Sequence, residues 1–365
     1  MNSTGHALLV VDSLQGLERV EPVAAVALQP ETQPRSAPAV IDRLAAWQAD
    51  FVRGQSAATV RAVRADWSQY IAWCEGTGHA PLPASIEQLE AFLRNAITRG
   101  RKRSTLNRYL YTVGLVHDAA GLSNPAKDPL WKMKWKVLIR ELGPDGHACK
   151  QAGPLVSADI VRILATLGDS PRDLRDAAML QLASVALLRE SELVRVEVKH
   201  LAYNPGNGAW TLWVPFSKTN PVGAIRDDRA VDPDTREAIQ RWQNIAGITS
   251  GVLFRRISGR PPVAVVKARA QGLPDPVLPL RPQEVARIFR RRAIAAGLPH
   301  ARMISGHSAR VGSANDLINN GYTTAQIQDA GKWKSSEMVQ RYTRQSRAGA
   351  NAMADLRRRQ KIGMG

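Results

Sequence analysis

Cysteine is almost missing from this chain. Its 365 residues hold two, Cys74 and Cys149, far apart and outside any spacing that ligates a metal. A disulfide framework and a cysteine-ligated metal are thereby excluded. Cys74 follows Trp73 in an apolar helical stretch and reads as a reduced core thiol. Long hydrophobic runs are missing too. The longest, residues 177–188, is interrupted by Gln181 and Ser184 and falls short of the roughly 20 apolar residues that span a bilayer. The opening MNSTGHALLVVDS has no basic segment of the kind that begins a secretory signal, so a reducing, cytoplasmic compartment is expected. Acidic residues are in deficit, 32 Asp and Glu against 50 Lys and Arg. No set of three well-placed carboxylates stands out that would hold catalytic metal ions.

What the chain has in excess is positive charge. A net charge of +18 and a pI near 10.5 predict a polyanionic partner, nucleic acid ahead of a membrane surface. The surplus is spread along the chain rather than gathered in one tail, which suits a folded protein gripping a long duplex. Hydrophobic residues make up 44%, enough for true cores, and the length suits two or three domains.

Residues 1–38 show no sustained period and end in LQPETQPRSAP, an expected flexible arm. Helical patterning begins near Ala39, in VIDRLAAWQADFVRG. In the next helix Val60, Val63, Trp67, Tyr70, Ile71 and Cys74 recur at three- and four-residue steps, with Ser56 as N-cap and Gly76 and Gly78 at the end. Further helices are expected in SIEQLEAFLRNAITRG, capped by Ser85, in STLNRYLYTVGLVHDAAG after the basic run 99–103, and in DPLWKMKWKVLIREL. Five short helices over 39–142 make an all-α domain. Gly, Pro and charge over 143–154 break the period and mark a linker.

Within 155–365 the pattern predicts a helix in SADIVRILATLG and one continuous helix in DLRDAAMLQLASVALLRESELVRV. The stretch HLAYNPGNGAWTLWVPFSKTNPVGAIRDDRAV reads as a small sheet, with an NPGNG turn and Trp210, Leu212 and Val214 alternating. Helices resume from PDTREAIQRWQNIAG to SSEMVQRYTRQ, with a last one near ANAMADLRRRQ. The fold class is therefore mainly α in two domains, the second carrying a small β-sheet.

Chemistry concentrates in the last third. SGHSARVG places His307 and Arg310 three apart, and AGKWKSSEMVQRYTR adds Trp333 and, nine residues on, Tyr342. Arg189 in LLRESE and Lys218 in FSKTN lie upstream. Singly, each has an ordinary explanation. A tyrosine in a helix is usually half-buried structure, most arginines are solvated, and most tryptophans are core. A hairpin-tip lysine usually only solubilises, and HxxR arises by chance in an arginine-rich chain. His307 also stands where it would cap the next helix.

Together these residues form an anion-binding cluster beside one phenol. A phenol, with a pKa of about 10, needs its proton taken or its oxyanion stabilised before it attacks at neutral pH. Guanidiniums can clamp the oxygens of a pentacoordinate phosphate in a plane. Arg189 ends the apolar run SVALL and so needs an anionic partner, which Glu192 offers. The combination suits attack on a phosphodiester by tyrosine, stabilised by side chains, with no cofactor and no metal.

The order Arg, Lys, HxxR, Trp, Tyr and the wordings LLRESE and GHSARVG resemble those of the tyrosine recombinases, over about residues 40–360. The resemblance implies the catalytic set Arg189, Glu192, Lys218, His307, Arg310, Trp333 and Tyr342. Tyr342 would become linked to a 3′ phosphate and free a 5′ hydroxyl. Lys218, 29 residues after Arg189, would protonate the leaving oxygen as general acid, with Lys334 as its rival. Glu192 would hold the arginine or the lysine in place. His307 would donate to the phosphate or shuttle a proton, and both roles stay open. Many members carry histidine where this chain has Trp333, whose indole N–H can reach a phosphate oxygen.

The same resemblance implies a helical core-binding (SAM-like) domain and a catalytic domain that form a C-shaped clamp on double-stranded DNA with inverted-repeat arms. DNA contacts are expected from Arg61 and Arg64, from Arg101, Lys102, Arg103, Ser104, Asn107 and Arg108, and from Arg281, Gln283 and Arg287. Gln283 stands where one member of the family has a guanine-reading arginine. Glutamine prefers adenine, which puts the target sequence in question. Four protomers would act on two sites through a Holliday junction, joined by a C-terminal helix within 348–364 that enters the neighbouring protomer. A nucleoid-associated protein of a bacterium, phage or plasmid is the expected setting. The alternatives are a topoisomerase-like or telomere-resolving strand transferase and a catalytically silent DNA-binding regulator.

Overall fold

The computed structural model describes residues 37–147, 151–217, 223–224, 226–257, 263–273 and 276–347, together with 353, 356, 357 and 360. Nearly all of the expected arm, most of the expected terminal helix, and Lys218 lie outside the described residues. The chain divides into two compact units, Met1–Cys149 and Lys150–Gly365.

The first unit holds α1 (Ala37–Gly54), α2 (Ala57–Thr77), α3 (Ile86–Thr98), α4 (Arg103–Ala120), α5 (Pro129–Glu141) and α6 (Gly143–His147). The last of these is a single turn inside the segment expected to be linker. Capping sets the helix starts. Ser56 Oγ accepts from the Thr59 amide at 3.2 Å and Ser85 Oγ from the Gln88 amide at 3.1 Å, each satisfying an orphan donor of the first turn. The three- and four-residue steps of α2 bury Trp67, Tyr70, Ile71 and Cys74 in one cluster with Leu89, Leu93, Leu106 and Val116. Buried Asp66 ties α2 to α4 by accepting from Arg108 Nε at 2.9 Å and again from Nη2.

The second unit begins with α7 (Ser157–Leu164) and α8 (Pro171–Val185), followed by the one-turn α9 (Glu190–Leu193). Strands β1 (Leu201–Asn204), β2 (Ala209–Trp213) and β3 (Asp228–Val231) form an antiparallel sheet in that order, with Tyr203 opposite Trp210 and Leu212 opposite Arg229. Then come α10 (Pro233–Ala246), α11 (Val263–Ala270), α12 (Pro282–Ala295), α13 (Ser308–Asn319), α14 (Thr324–Ala330), α15 (Ser336–Tyr342) and α16 (Arg344–Arg347). The core gathers Met179, Leu182, Ile239, Trp242, Phe254 and Phe289. Fully buried Asp176 accepts from Arg175, Arg291 and Arg292, which pins α8 to α12 and neutralises charge that burial would otherwise make costly. Among the described residues no helix is long and apolar enough to cross a membrane.

One expectation is corrected. The stretch 173–196 is not one helix; it breaks between Val185 and Glu190. Leu187 there adopts φ 46°, a left-handed conformation that costs a non-glycine residue about 1–3 kcal/mol. The break is closed locally by the Leu187 amide donating to Ser184 O at 3.2 Å and the Leu188 amide to Ala183 O at 3.1 Å, and it is also held from outside. The carbonyls of Ala186 and Leu187, freed from helical bonding, accept from Arg229 Nη1 at 2.7 and 3.2 Å, and Leu187 O also accepts from Arg310. Local apolar periodicity cannot register partners that lie 42 and 123 residues away.

Candidate active site

The break in the helix is what delivers Arg189. It occupies the N-cap position of α9, where its backbone amide donates to Glu192 Oε2 at 2.9 Å and its Nη1 to Glu192 Oε1 at 2.5 Å. Glu192 is buried and Arg189 half-buried, so this is a desolvated, charge-assisted pair rather than a surface one. The expected partnership of these two residues is present.

His307 and Arg310 lie at the start of α13 and behave differently. His307 sits at the N-cap, but its side chain makes no cap bond. It keeps exposed surface, yet surrounding protein lowers its pKa, first by desolvation and then through Arg310 and Arg189, against the opposing pull of Glu190 and Glu192. At pH 7 it is therefore neutral, with one donor and one acceptor nitrogen. Arg310 is 1% exposed, and its guanidinium donates to the carbonyls of Leu187 and Gly331. Burial first, then neighbouring Arg189, push its pKa down to about 9, which leaves it cationic at neutral pH.

Trp333 contacts both the cation and the phenol. The Arg310 guanidinium lies 4.3 Å from the centre of the Trp333 ring, and the Trp333 and Tyr342 ring centres are 5.5 Å apart. The first contact is a cation–π stack, the second a tilted aromatic pair. Trp333 is itself buried, beside Leu187, Ala314, Ile327 and Val339. Its Nε1 and Arg310 Nε are buried donors with no hydrogen-bond partner among the described residues. Half-buried Tyr342 is the last residue of α15, and its carbonyl accepts from Gln151 Nε2 at 3.0 Å and Asn315 Nδ2 at 3.2 Å. Those two amides thus anchor the end of the helix that bears the phenol.

Three glycines permit this closeness by having no side chain. A Cβ at Gly312 would fall 1.8 Å from the Leu155 carbonyl oxygen, one at Gly306 1.7 Å from Glu190 Oε2, and one at Gly331 2.1 Å from the Trp333 ring. Gly312, which faces backbone, and Gly331, which faces the indole ring, are therefore steric requirements of the site.

Of the expected cluster, the structure brings together Arg189, Glu192, His307, Arg310, Trp333 and Tyr342. Lys218 lies outside the described residues, and the rival Lys334 is exposed. In the first unit Arg61, Arg101, Arg103, Ser104, Asn107 and Arg108 are exposed, while Arg64 and Lys102 are half-buried. Arg281, Gln283 and Arg287 are exposed at the start of α12. Sequence reasoning missed Arg229, Asn315 and Gln151. A signal existed for Arg229, since period-two alternation puts it on the same buried face as Val231. The two amides offered none, because their acceptor lies far away in sequence.

Comparison with known proteins identifies the family. Residues 155–348 match the phage integrase family, more than half of the chain, and the protein belongs to that family of tyrosine recombinases. It is 28% identical over 297 residues to the integrase/recombinase XerD homolog of Selenomonas ruminantium, covering 79% of this chain and 81% of that protein. It is 27% identical over 292 residues to the Cre recombinase of Escherichia phage P1, covering 79% and 84%. A solved structure of the XerH site-specific recombinase, in a post-cleavage complex with its palindromic difH substrate, shares the fold. Its TM-score is 0.58 at 13% identity, over 85% of this chain and 82% of that one. The chain is a tyrosine site-specific recombinase, an enzyme that cuts and rejoins DNA strands.

Proposed function

We propose that Tyr342 is the nucleophile of this recombinase and that Arg189 and Arg310 bind the scissile phosphate. Tyr342 Oη attacks phosphorus and gives up its proton. The bond from phosphorus to the 5′ oxygen breaks, and Lys218 supplies the proton that the leaving oxygen takes. A 3′-phosphotyrosyl bond then conserves the phosphodiester energy, and a 5′ hydroxyl from the partner strand reverses the step. Neither ATP nor a metal enters this balance.

The observation that carries this reading is that one indole touches both the guanidinium of Arg310 and the phenol of Tyr342. Through Trp333 this fixes a nucleophile beside a buried cation. Two buried donors of this contact, Trp333 Nε1 and Arg310 Nε, have no acceptor among the described residues and could serve an anion once the site opens to it. Neutral His307 would donate to a non-bridging oxygen or relay the phenolic proton. Glu192 orients Arg189 rather than reacting.

On the DNA, Arg61, Arg64 and residues 101–108 of the first unit, with Arg281, Gln283 and Arg287 of the second, would contact bases and phosphates. Arg108, held by Asp66, is pre-oriented for such a contact. The chain would bind inverted-repeat arms of double-stranded DNA and act as a tetramer on two sites through a Holliday junction, in the cytoplasm. The segment 348–364 would link the protomers.

Tyr342→Phe tests the central assignment, because it removes one oxygen and keeps the aromatic pair. With a nicked suicide duplex, specific binding should persist and the covalent protein–DNA adduct should vanish. An adduct formed by the Phe variant would move the nucleophile elsewhere, to Tyr322 or another tyrosine.

A further inference from the structure

Arg229 lies outside the residue set assigned to the chemistry, yet its guanidinium is buried among that set. It sits on β3 with its side chain 3% exposed. Nε and Nη2 grip Asp227 in a two-pronged pair at 3.0 and 2.7 Å. Nη1 donates to Ala186 O at 2.7 Å and Leu187 O at 3.2 Å, and lies 3.8 Å from Glu192 Oε2. The planar fork of an arginine can grip a carboxylate with two prongs and still reach carbonyls on its other side, whereas the single nitrogen of a lysine cannot reproduce that geometry.

Two of these partners also serve the other two arginines. Leu187 O is also the acceptor of Arg310. Glu192 is the carboxylate that holds Arg189. The turn at Leu187, with φ 46°, is the strained element that ends α8 and presents Arg189, and such a conformation persists only where its surroundings impose it. One guanidinium thus fixes the acceptors that aim the other two.

We propose that Arg229 is a positioning residue for phosphate activation: without touching DNA, it locks the 186–189 turn and Glu192 so that Arg189 and Arg310 meet the phosphate in one geometry. The proposal rests on the assignment of Arg189 and Arg310 to the phosphate. A purely structural ion pair would lower stability on substitution without discriminating between substrates. A residue that aims positive charge at the phosphate must discriminate.

The test compares cleavage of a suicide duplex with that of the same duplex carrying a methylphosphonate at the scissile position. The methyl group replaces the charged non-bridging oxygen. Full-length Arg229→Lys is measured beside the pair Arg229→Met with Asp227→Asn, which leaves no orphaned carboxylate at position 227. Arg310→Ala serves as reference. Binding of the intact duplex should be little changed. Cleavage of the phosphodiester should slow about 100-fold, the scale expected when reacting groups are misplaced by roughly 1 Å. On the methylphosphonate the penalty should be much smaller, in step with that of Arg310→Ala.

Equal slowing on both substrates, wild-type rates, or failure of both variants to fold would overturn the proposal. Failure of the underlying assignment looks different. In that case the penalty of Arg310→Ala would itself not depend on the phosphate charge.

Discussion

Replacing Gly331 with alanine should disable this enzyme through a single methyl group. Gly331 has φ −89° and ψ −2°, a conformation any residue adopts, so alanine brings no backbone strain there. Its Cβ, however, would fall 2.1, 2.3 and 2.5 Å from three atoms of the Trp333 ring. Carbon atoms in contact sit about 3.5–4.0 Å apart, so the indole must retreat by roughly 1.5 Å. Trp333 is 5% exposed and has little room to move. Overpacking of this kind costs about 1–3 kcal/mol, and 2 kcal/mol lowers the melting temperature of a unit of this size by about 4–8 °C. The functional cost should be larger than the loss of stability suggests. The indole is the surface on which both Arg310 and Tyr342 rest, and Gly331 O is itself an acceptor for Arg310. Displacement on the ångström scale then predicts about a 100-fold slower formation of the covalent adduct, at a temperature where the variant is folded. Gly321→Ala is the control. That glycine has φ 83° and nothing within 4 Å of its added Cβ, so alanine should cost stability by backbone strain and leave cleavage intact. Wild-type cleavage by Gly331→Ala, or equal cleavage loss in both variants, would refute this account of Trp333.

Lys218→Ala should slow cleavage of an ordinary phosphodiester far more than that of a duplex with a 5′-bridging sulfur, because a thiolate leaves without a proton. Equal slowing on both would remove Lys218 as the general acid. A pH effect on stability is expected in the first unit. His117 is fully buried, its Nε2 accepts from the Ala84 amide at 2.8 Å, and its Nδ1–H donates to Val113 O at 2.7 Å. Burial holds its pKa below the ordinary imidazole value, only partly opposed by the Val113 carbonyl and Asp118. The unfolded chain therefore takes up the proton first. The stability contributed by neutral His117 is complete above about pH 6.5 and drains away as pH falls towards the depressed folded value, by at most about 1.4 kcal/mol per pH unit. Urea midpoints measured from pH 7.5 to 5 should fall more steeply for the wild type than for His117→Gln; parallel curves would contradict it.

Much of this protein is legible in one dimension. The charge surplus, the caps at Ser56 and Ser85, the alternation across Leu212 and the clustering of His307, Arg310, Trp333 and Tyr342 in the last third are all local properties of the chain. Their physics acts over one or two helical turns, or one hairpin, so periodicity and cap chemistry suffice to read them. The end of α8 is different. The apolar run through Leu188 favours continuation of the helix, and Arg229 and Arg310, brought close by folding, join the local bonds from the Leu187 and Leu188 amides in stabilising the left-handed Leu187 that stops it. The supports of the nucleophile are likewise tertiary, since Gln151 reaches Tyr342 across 191 residues. The three glycines join both levels. They are visible in the motifs, but the reason for each lies in a neighbour from another segment or in the ring it makes room for. Which groups are available for phosphoryl chemistry follows from residue identity and local order along the chain. The tertiary structure decided which of them are aimed, because aiming needs acceptors fixed in space, and those come from distant parts of the chain.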